Sequence, residues 1–307
     1  MKSKPCDPEE TGSCLAGLKN LTSTITGYDR FIVEVFFQAK CAYCLNLNMI
    51  LQQATDLHYL PKRIISLVPS QTELLFYLEL ESETAGITKF CIHPPDWFKT
   101  KEKIGGTKTV NLAKIKALQP DLIIANKEEN VKEQVESLAL DFPVWLTDVN
   151  NLADALQMIA DIGTLTGKSV AADTLLININ KAFDELPKME NLLKTAYLIW
   201  RDPYITIGGD TFINDMLITC GFENIYADKS RYPEISMDAL HIANCQLLLL
   251  SSEPYPFKQN HIDELSEQLP GIKIILVDGE YFSWYGSRML HAPAYFTRLM
   301  AQIEGIN

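Results

Sequence analysis

Nowhere in the sequence do about 20 apolar residues run together, the length that crossing a bilayer requires. The most apolar N-terminal run, 31–39, carries Glu34 in its middle. Positive charge is scarce: 27 Lys and Arg stand against 39 Asp and Glu, for a formal net charge of −12. Such a field repels phosphate backbones and anionic lipid, which argues against nucleic acid and membrane surfaces as partners. A basic N-terminal region leading into an apolar stretch is also missing, because Asp7, Glu9 and Glu10 occupy its place. That absence predicts a cytoplasmic protein. Met49 stands just ahead of the first strand-like pattern, so a translation start at Met49 is the competing expectation, under which a periplasmic location stays open.

Signatures of covalent or metal chemistry are equally sparse. The seven cysteines are odd in number, and Cys6, Cys14, Cys41 and Cys44 crowd into the first 44 residues, so free thiols are expected in place of a disulfide framework. Cys41 and Cys44 form a CxxC, yet no second CxxC or histidine pair follows at zinc-ligand spacing. The five histidines, His58, His93, His241, His261 and His291, do not recur at the positions a divalent-metal receptor would need. No Ser/His/acid or Cys/His ordering specifies a nucleophile. The stretch from Gly163 to Ser169 imitates a phosphate loop but has three residues between its glycines where four are required, and reads as a helix break.

What the chain does have is 307 residues, 47% of them apolar, enough to fill two cores. Arg63-Ile-Ile-Ser-Leu-Val-Pro69 is a β-branched run closed by a proline, the pattern of a buried strand. Ser70 and Glu73 follow at capping-box spacing and predict a helix start. Strand and helix then alternate: strands at 84–88, 121–125 and 144–147, with helices near 111–118 and from about 130. Residues 151–185 read as helical throughout, interrupted at Gly163 and Gly167. The part after Gly167 predicts one helix of about 18 residues and roughly 27 Å, long enough to bridge two lobes. Alternation resumes beyond Pro187, with strands at 195–200, 246–252 and 272–278 and helices at 211–219, 259–269 and from about 288. The expected organisation is an extension over 1–54, an α/β lobe over 55–150, a helical linker over 151–187 and a second α/β lobe over 188–307. Each lobe is expected to hold a parallel sheet.

At this point the motifs carry a resemblance. Arg63-Ile-Ile-Ser-Leu-Val-Pro-Ser-Gln-Thr-Glu-Leu74, the loop Thr88-Lys-Phe-Cys-Ile-His-Pro94, then Ile104-Gly-Gly-Thr107, Asn111-Leu112 and Leu118-Gln-Pro-Asp-Leu-Ile-Ile124 resemble, in order, the substrate-binding proteins of cobalamin and ferric-siderophore ABC importers. The likeness spans about residues 55–305. It implies two Rossmann-like lobes joined by one long rigid helix, with the ligand in the cleft between them. It also implies a monomeric, non-catalytic receptor with no intrinsic cofactor, whose ligand is a cobalamin-like corrinoid, haem or a ferric siderophore. By the same resemblance Phe90, Thr107 and Tyr232 fall at ligand-touching positions; the family's cobalamin binder has tryptophan where Thr107 and Tyr232 stand here. An ABC permease is the implied partner, docked through one acidic residue per lobe, at positions that here carry Ala113 and Asp238, so half of that pair is missing.

Ligands of open parallel sheets bind beyond the carboxyl ends of the strands. That points to the loops at 69–71, 90–93, 105–108, 126–129, 200–204, 252–255 and 281–288, and to Tyr232. Among these, Ser70, Phe90, His93, Thr107, Trp200, Arg201, Tyr204, Tyr232, Trp284, Tyr285 and Arg288 are the candidate ligand-binding residues. Flat rings suit a broad, partly apolar ligand, the two arginines suit carboxylates or amides, and His93 suits either a metal centre or a hydrogen-bonded loop. No catalytic residue and no resident metal are expected. The competing classes are a metal-tetrapyrrole chelatase, with His93 or His291 handling the proton or metal, and a divalent-metal receptor of the same architecture.

Overall fold

The computed structural model describes residues 48–189 and 192–305. Cys6, Cys14, Cys41 and Cys44, and with them the CxxC, lie outside the described residues. Two separate parallel sheets form. The first has the order β1-β6-β5-β2-β3-β4, built from Ile50–Leu51 (β1), Ile64–Ser66 (β2), Thr84–Ile87 (β3), Glu102–Lys103 (β4), Leu122–Asn126 (β5) and Val144–Thr147 (β6). The second has the order β10-β9-β7-β8, from Leu193–Leu198 (β7), Phe222–Asn224 (β8), Leu247–Ser251 (β9) and Lys273–Val277 (β10). Among the described residues every strand pairing is parallel. The central strands β2, β5 and β9 are buried along their whole length, which is why they read as unbroken Ile and Leu runs.

The first sheet's helices are Pro69–Tyr77 (α1), Pro95–Thr100 (α2), Leu112–Leu118 (α3) and Lys132–Ala139 (α4). Between the sheets lie Leu152–Thr166 (α5) and Ser169–Asp184 (α6). The second sheet carries Phe212–Thr219 (α7), Met237–Ile242 (α8), Gln259–Gln268 (α9), the short Glu280–Ser283 (α10) and Ala292–Glu304 (α11). Asn111, Asn151 and Thr211 cap α3, α5 and α7 with side-chain oxygens on the third backbone N–H. The cap expected of Ser70 does not form. Pro69, whose fixed φ suits the first helical position, starts α1 two residues earlier with Val68 as its cap, and Glu73 is drawn to an arginine of the other lobe.

The predicted bridge is α6, whose 16 residues reach about 24 Å. It runs back along α5 as a tight hairpin. Gly167 ends α5 in the left-handed region at φ 69°, and a Cβ on Gly163 would stand 2.5 Å from the Cβ of Ala172. Both glycines of the false phosphate loop therefore serve the hairpin. Ile50–Leu51, read from sequence as extension, adds a strand to β6.

Three apolar clusters fill the molecule. One covers the outer face of the first sheet through Ile65, Ile123 and Leu138, another that of the second through Ala196, Leu248 and Leu265. The third is shared. It runs without a break from Ile64, Leu74 and Trp97 through Met158, Ile159, Leu175 and Ile179 of the hairpin to Tyr197, Phe212, Phe282 and Phe296. At roughly 1.5–3 kcal/mol per buried large side chain, this continuity ties the lobes together far more strongly than a flexible linker would.

Candidate functional site

Chain order reverses once in each sheet. In the first, β3 and β4 extend to one side of β2 while β5 and β6 lie on the other. In the second, β8 flanks one side of β7 while β9 and β10 flank the other. Loops leaving the carboxyl ends of such neighbours must diverge and leave a crevice. Beyond the end of β2 stand Ser70 and Gln71 in the first turn of α1, and the loop after β5 carries Glu128 and Glu129; the loops after β7 and β9 carry Trp200, Arg201, Glu253 and Tyr255. The two sets belong to opposing lobes, because loops of one lobe hydrogen-bond those of the other.

The floor of the first lobe is a buried amide network. Asn126, at the end of β5, accepts the backbone N–H groups of Glu128 and Glu129 at 2.8 and 3.1 Å. Its own amide donates to the Thr147 hydroxyl at 3.1 Å, which also accepts from the Gln71 amide at 2.7 Å. Asn130 ties this floor to the carbonyls of Leu67 and Thr107 at 3.3 and 3.1 Å. The carboxylates of Glu128 and Glu129 are thereby held on a fixed turn. Burial pushes the Glu129 carboxyl above its ordinary range, with Lys108 opposing and Glu128 reinforcing the shift.

Across the crevice, Glu253 accepts from the Ser283 hydroxyl at 2.6 Å and from the Trp284 indole N–H at 2.9 Å, both on the same oxygen. Burial raises its pKa to about 7; the bonds from Ser283 and Trp284 pull it down, while Glu280 and the opposing Glu129 push it further up.

Two clasps span the lobes. At one, Arg231 donates to Glu128 at 2.7 Å and to the Asn150 amide oxygen at 3.1 Å, and the Tyr232 hydroxyl donates to Glu128 at 3.1 Å. At the other, Arg288 grips Glu73 with two bonds and also pairs with Glu280. Its guanidinium lies 4.7 Å over the Trp284 ring. Burial lowers the Arg288 pKa, but Glu73 and Glu280 more than offset it. His93 reaches the same Glu280 at 3.2 Å and sets its ring edge-on to Trp284.

The candidate residues thus separate into groups. Phe90, Trp200 and Tyr232 expose 51, 41 and 40% of their surface, far more than an aromatic in a core would. Phe90 lies against Gly106, next to Thr107, and Trp200 meets Tyr255 edge-on at 5.8 Å. Ser70, Thr107, Trp284 and Tyr285 are buried. Tyr285 wedges between the lobes, its ring on Phe212 and its hydroxyl beside Ser70 and Gln71. Arg201 does not meet the crevice carboxylates: Glu264 on α9 holds it at 2.7 Å, and Tyr204 lies beside it. His93 bonds Glu280 across the lobes, in keeping with its reading as a hydrogen-bonded loop residue, and Arg288 is occupied by the lobe-to-lobe ion pair with Glu73. Sequence reasoning missed Glu73, Glu128, Glu129, Arg231, Glu253 and Glu280. Three of these, Glu128, Glu129 and Glu253, stand in the loops beyond the strand ends, where a carboxylate in a βα loop was the signal that could have found them.

Comparison with known proteins agrees with this architecture. The periplasmic binding protein family matches residues 64–271. The vitamin B12-binding protein of Salmonella typhi is 27% identical over 256 residues, 80% of this chain and 92% of that protein. Its counterpart from Pectobacterium atrosepticum is 23% identical over 81% of this chain and 92% of that one. Among solved structures, a periplasmic haem-binding protein from Roseiflexus superposes with a TM-score of 0.68 at 22% identity, covering 80% of this chain and 99% of the other. The periplasmic vitamin B12-binding protein of Vibrio cholerae gives 0.65 at 21%, covering 79 and 98%. These findings overturn the expectation of a cytoplasmic protein, which rested on the acidic N-terminus and the half-missing docking pair: the matching family and both superposed structures are periplasmic proteins. The family match takes in strands of both parallel sheets and more than half of the chain, and the chain belongs to the periplasmic binding proteins.

Proposed function

We propose that this chain is a receptor that holds a broad metal chelate, a corrinoid, haem or a ferric siderophore, in the crevice between its lobes and delivers it unchanged to an ABC importer. The observation that carries this reading is the meeting of two switch points across one crevice, flanked by the exposed rings of Phe90, Trp200 and Tyr232. Such rings cover a wide flat ligand with little loss of rotamer freedom. The relatives' names support the ligand class. The chelate is cargo, taken up and released whole, and no step of this function requires a nucleophile or a resident metal. Among the described residues no group of three or more His, Cys, Asp or Glu is placed to hold a metal ion, which weighs against a receptor for bare divalent ions.

Delivery requires a docking face. Asp238 is exposed in the first turn of α8, and Ala113 is exposed in the first turn of α3. Both helices start at the crevice end of their lobes. Docking through Asp238, with the first lobe contributing shape in place of charge at Ala113, follows as part of the proposal.

A thermal-shift panel of cobalamin, cobinamide, haem and ferric siderophores tests the reading. A ligand present at 100 times its Kd stabilises the folded state by about 2.7 kcal/mol, a shift of several degrees. Silence across the panel overturns it. Spectral change of a porphyrin on adding metal would instead establish a chelatase.

A further inference from the structure

The charges that line the crevice are not balanced. Arg231 is taken by Glu128, Arg288 by Glu73 and Glu280, and Arg201 by Glu264 outside the crevice. Lys108, the cation nearest Glu129, spends its ammonium on the carbonyl of Glu128. What remains is one carboxylate at each switch point. Glu129 accepts no hydrogen bond on its carboxylate among the described residues, and Glu253 is bonded through one oxygen only. The buried amide oxygen of Gln71, on the same floor and next to Tyr285, also lacks a donor. Of these acceptors the Gln71 oxygen is shut off from water, where lacking a partner is costly, while the two half-buried carboxylates keep an edge open to the crevice. The polar vacancies converging from both lobes therefore call for donors.

We propose that Glu129 and Glu253, one from each lobe, make this crevice select a ligand whose rim carries hydrogen-bond donors or positive charge, as the amide-rimmed corrinoids do, over a carboxylate-rimmed chelate such as haem. This rests on the crevice being the ligand site, as argued above. A haem seated here would bring its propionates toward Glu129 and Glu253 in a half-buried site, and above about pH 7, where Glu253 has given up its proton, like charges repel strongly. Corrinoid side-chain amides would instead donate to Glu129, Glu253 and Gln71. The exposed rings accept either macrocycle, so the carboxylates decide between them.

The experiment measures the affinities of the full chain for cobinamide and for haem by calorimetric titration at pH 8, above the raised Glu253 value, in the parent and in the E129Q/E253Q double variant. Glutamine keeps the length and the acceptor that Ser283 and Trp284 use, while removing the charge. The parent is expected to bind cobinamide at least about tenfold more tightly than haem, and the double variant to lose most of that preference by gaining haem affinity. A parent that binds haem as tightly as cobinamide overturns the assignment, whatever the variant does. A preference for cobinamide that survives unchanged in a folded double variant overturns it as well. Binding of neither macrocycle, nor of any other chelate in the panel, would instead remove the function on which the assignment stands.

Discussion

Arg288 of the second lobe and Glu73 of the first are joined by two parallel bonds, Nε to Oε2 at 3.0 Å and Nη2 to Oε1 at 2.7 Å. The pair is mostly shielded from water, with side chains 12 and 22% exposed, and Arg288 also holds Glu280 and stacks on Trp284. A fork-to-fork contact of this kind fixes orientation as well as distance. It pins the 286–290 turn to α1 and sets the width of the crevice.

Arg288→Ala should therefore be costly, because it leaves Glu73 and Glu280 partly buried without a counter-ion. The expected loss is about 2–3 kcal/mol in urea unfolding. Arg288→Lys should recover little, since an ammonium cannot make both bonds or stack in the same way. A lysine variant as stable as the parent would show that charge alone holds the seam.

The second clasp should behave differently. Arg231 and Glu128 are 47 and 25% exposed in their side chains, so Arg231→Ala is expected to change stability by about 0–1 kcal/mol. Its effect belongs on the kinetics. With this side of the crevice unlatched, ligand release followed by stopped flow should become faster while the melting temperature stays near that of the parent. Unchanged release would mean that ligands leave by another side.

Glu253 gives a pH signature. Its carboxyl is raised from 4.5 to about 7, so between these values the folded protein holds a proton that the unfolded chain gives up. Stability then falls as pH rises from about 4.5 to about 7 and levels off above, with a slope of at most roughly 1.4 kcal/mol per unit. Glu253→Gln should flatten that fall, leaving the contribution of Glu129, and should exceed the parent in stability at pH 8. Denaturation curves at pH 5 and pH 8 for both proteins decide it.

Gly209 should tolerate no side chain. A Cβ there would lie 2.2 Å from the carbonyl oxygen of Ala227, and one on Gly208 would lie 2.4 Å from that of Lys229. Both obstacles are backbone, so relief requires moving the 227–231 loop that presents Arg231 and Tyr232. Gly209→Ala is expected to cost on the order of 1–3 kcal/mol and to weaken ligand binding at the same time. A well-folded variant with parental affinity would show that this loop yields freely.

Much of the fold was legible because the central strands are buried on both faces and so appear as uninterrupted runs, as in Leu122–Asn126 and Leu247–Ser251. The strands that escaped notice are two or three residues long: Ile50–Leu51, Glu102–Lys103 and Phe222–Asn224. They lie at sheet edges, where pairing with one neighbour rather than a hydrophobic pattern defines them. The site was legible as a set of loops. Which side chains would face which could not be read, because it depends on how the lobes are set against each other. Arg201 and Arg288 look alike in sequence, each beside aromatics after a strand. The fold gives one to Glu264 within its own lobe and the other to Glu73 across the seam.

The apolar cluster that passes from Trp97 through the α5–α6 hairpin to Phe296 has a consequence for how this molecule can be divided. Neither half of the gene encodes an independent folding unit, since separating them would strip one wall from the interior of each product. Heating should accordingly melt both sheets in a single calorimetric peak, and fragments split between α6 and β7 should regain solubility only when expressed together. Under the proposed function, a frame so continuous is expected to open little by itself, which would leave the work of emptying it to the importer it meets.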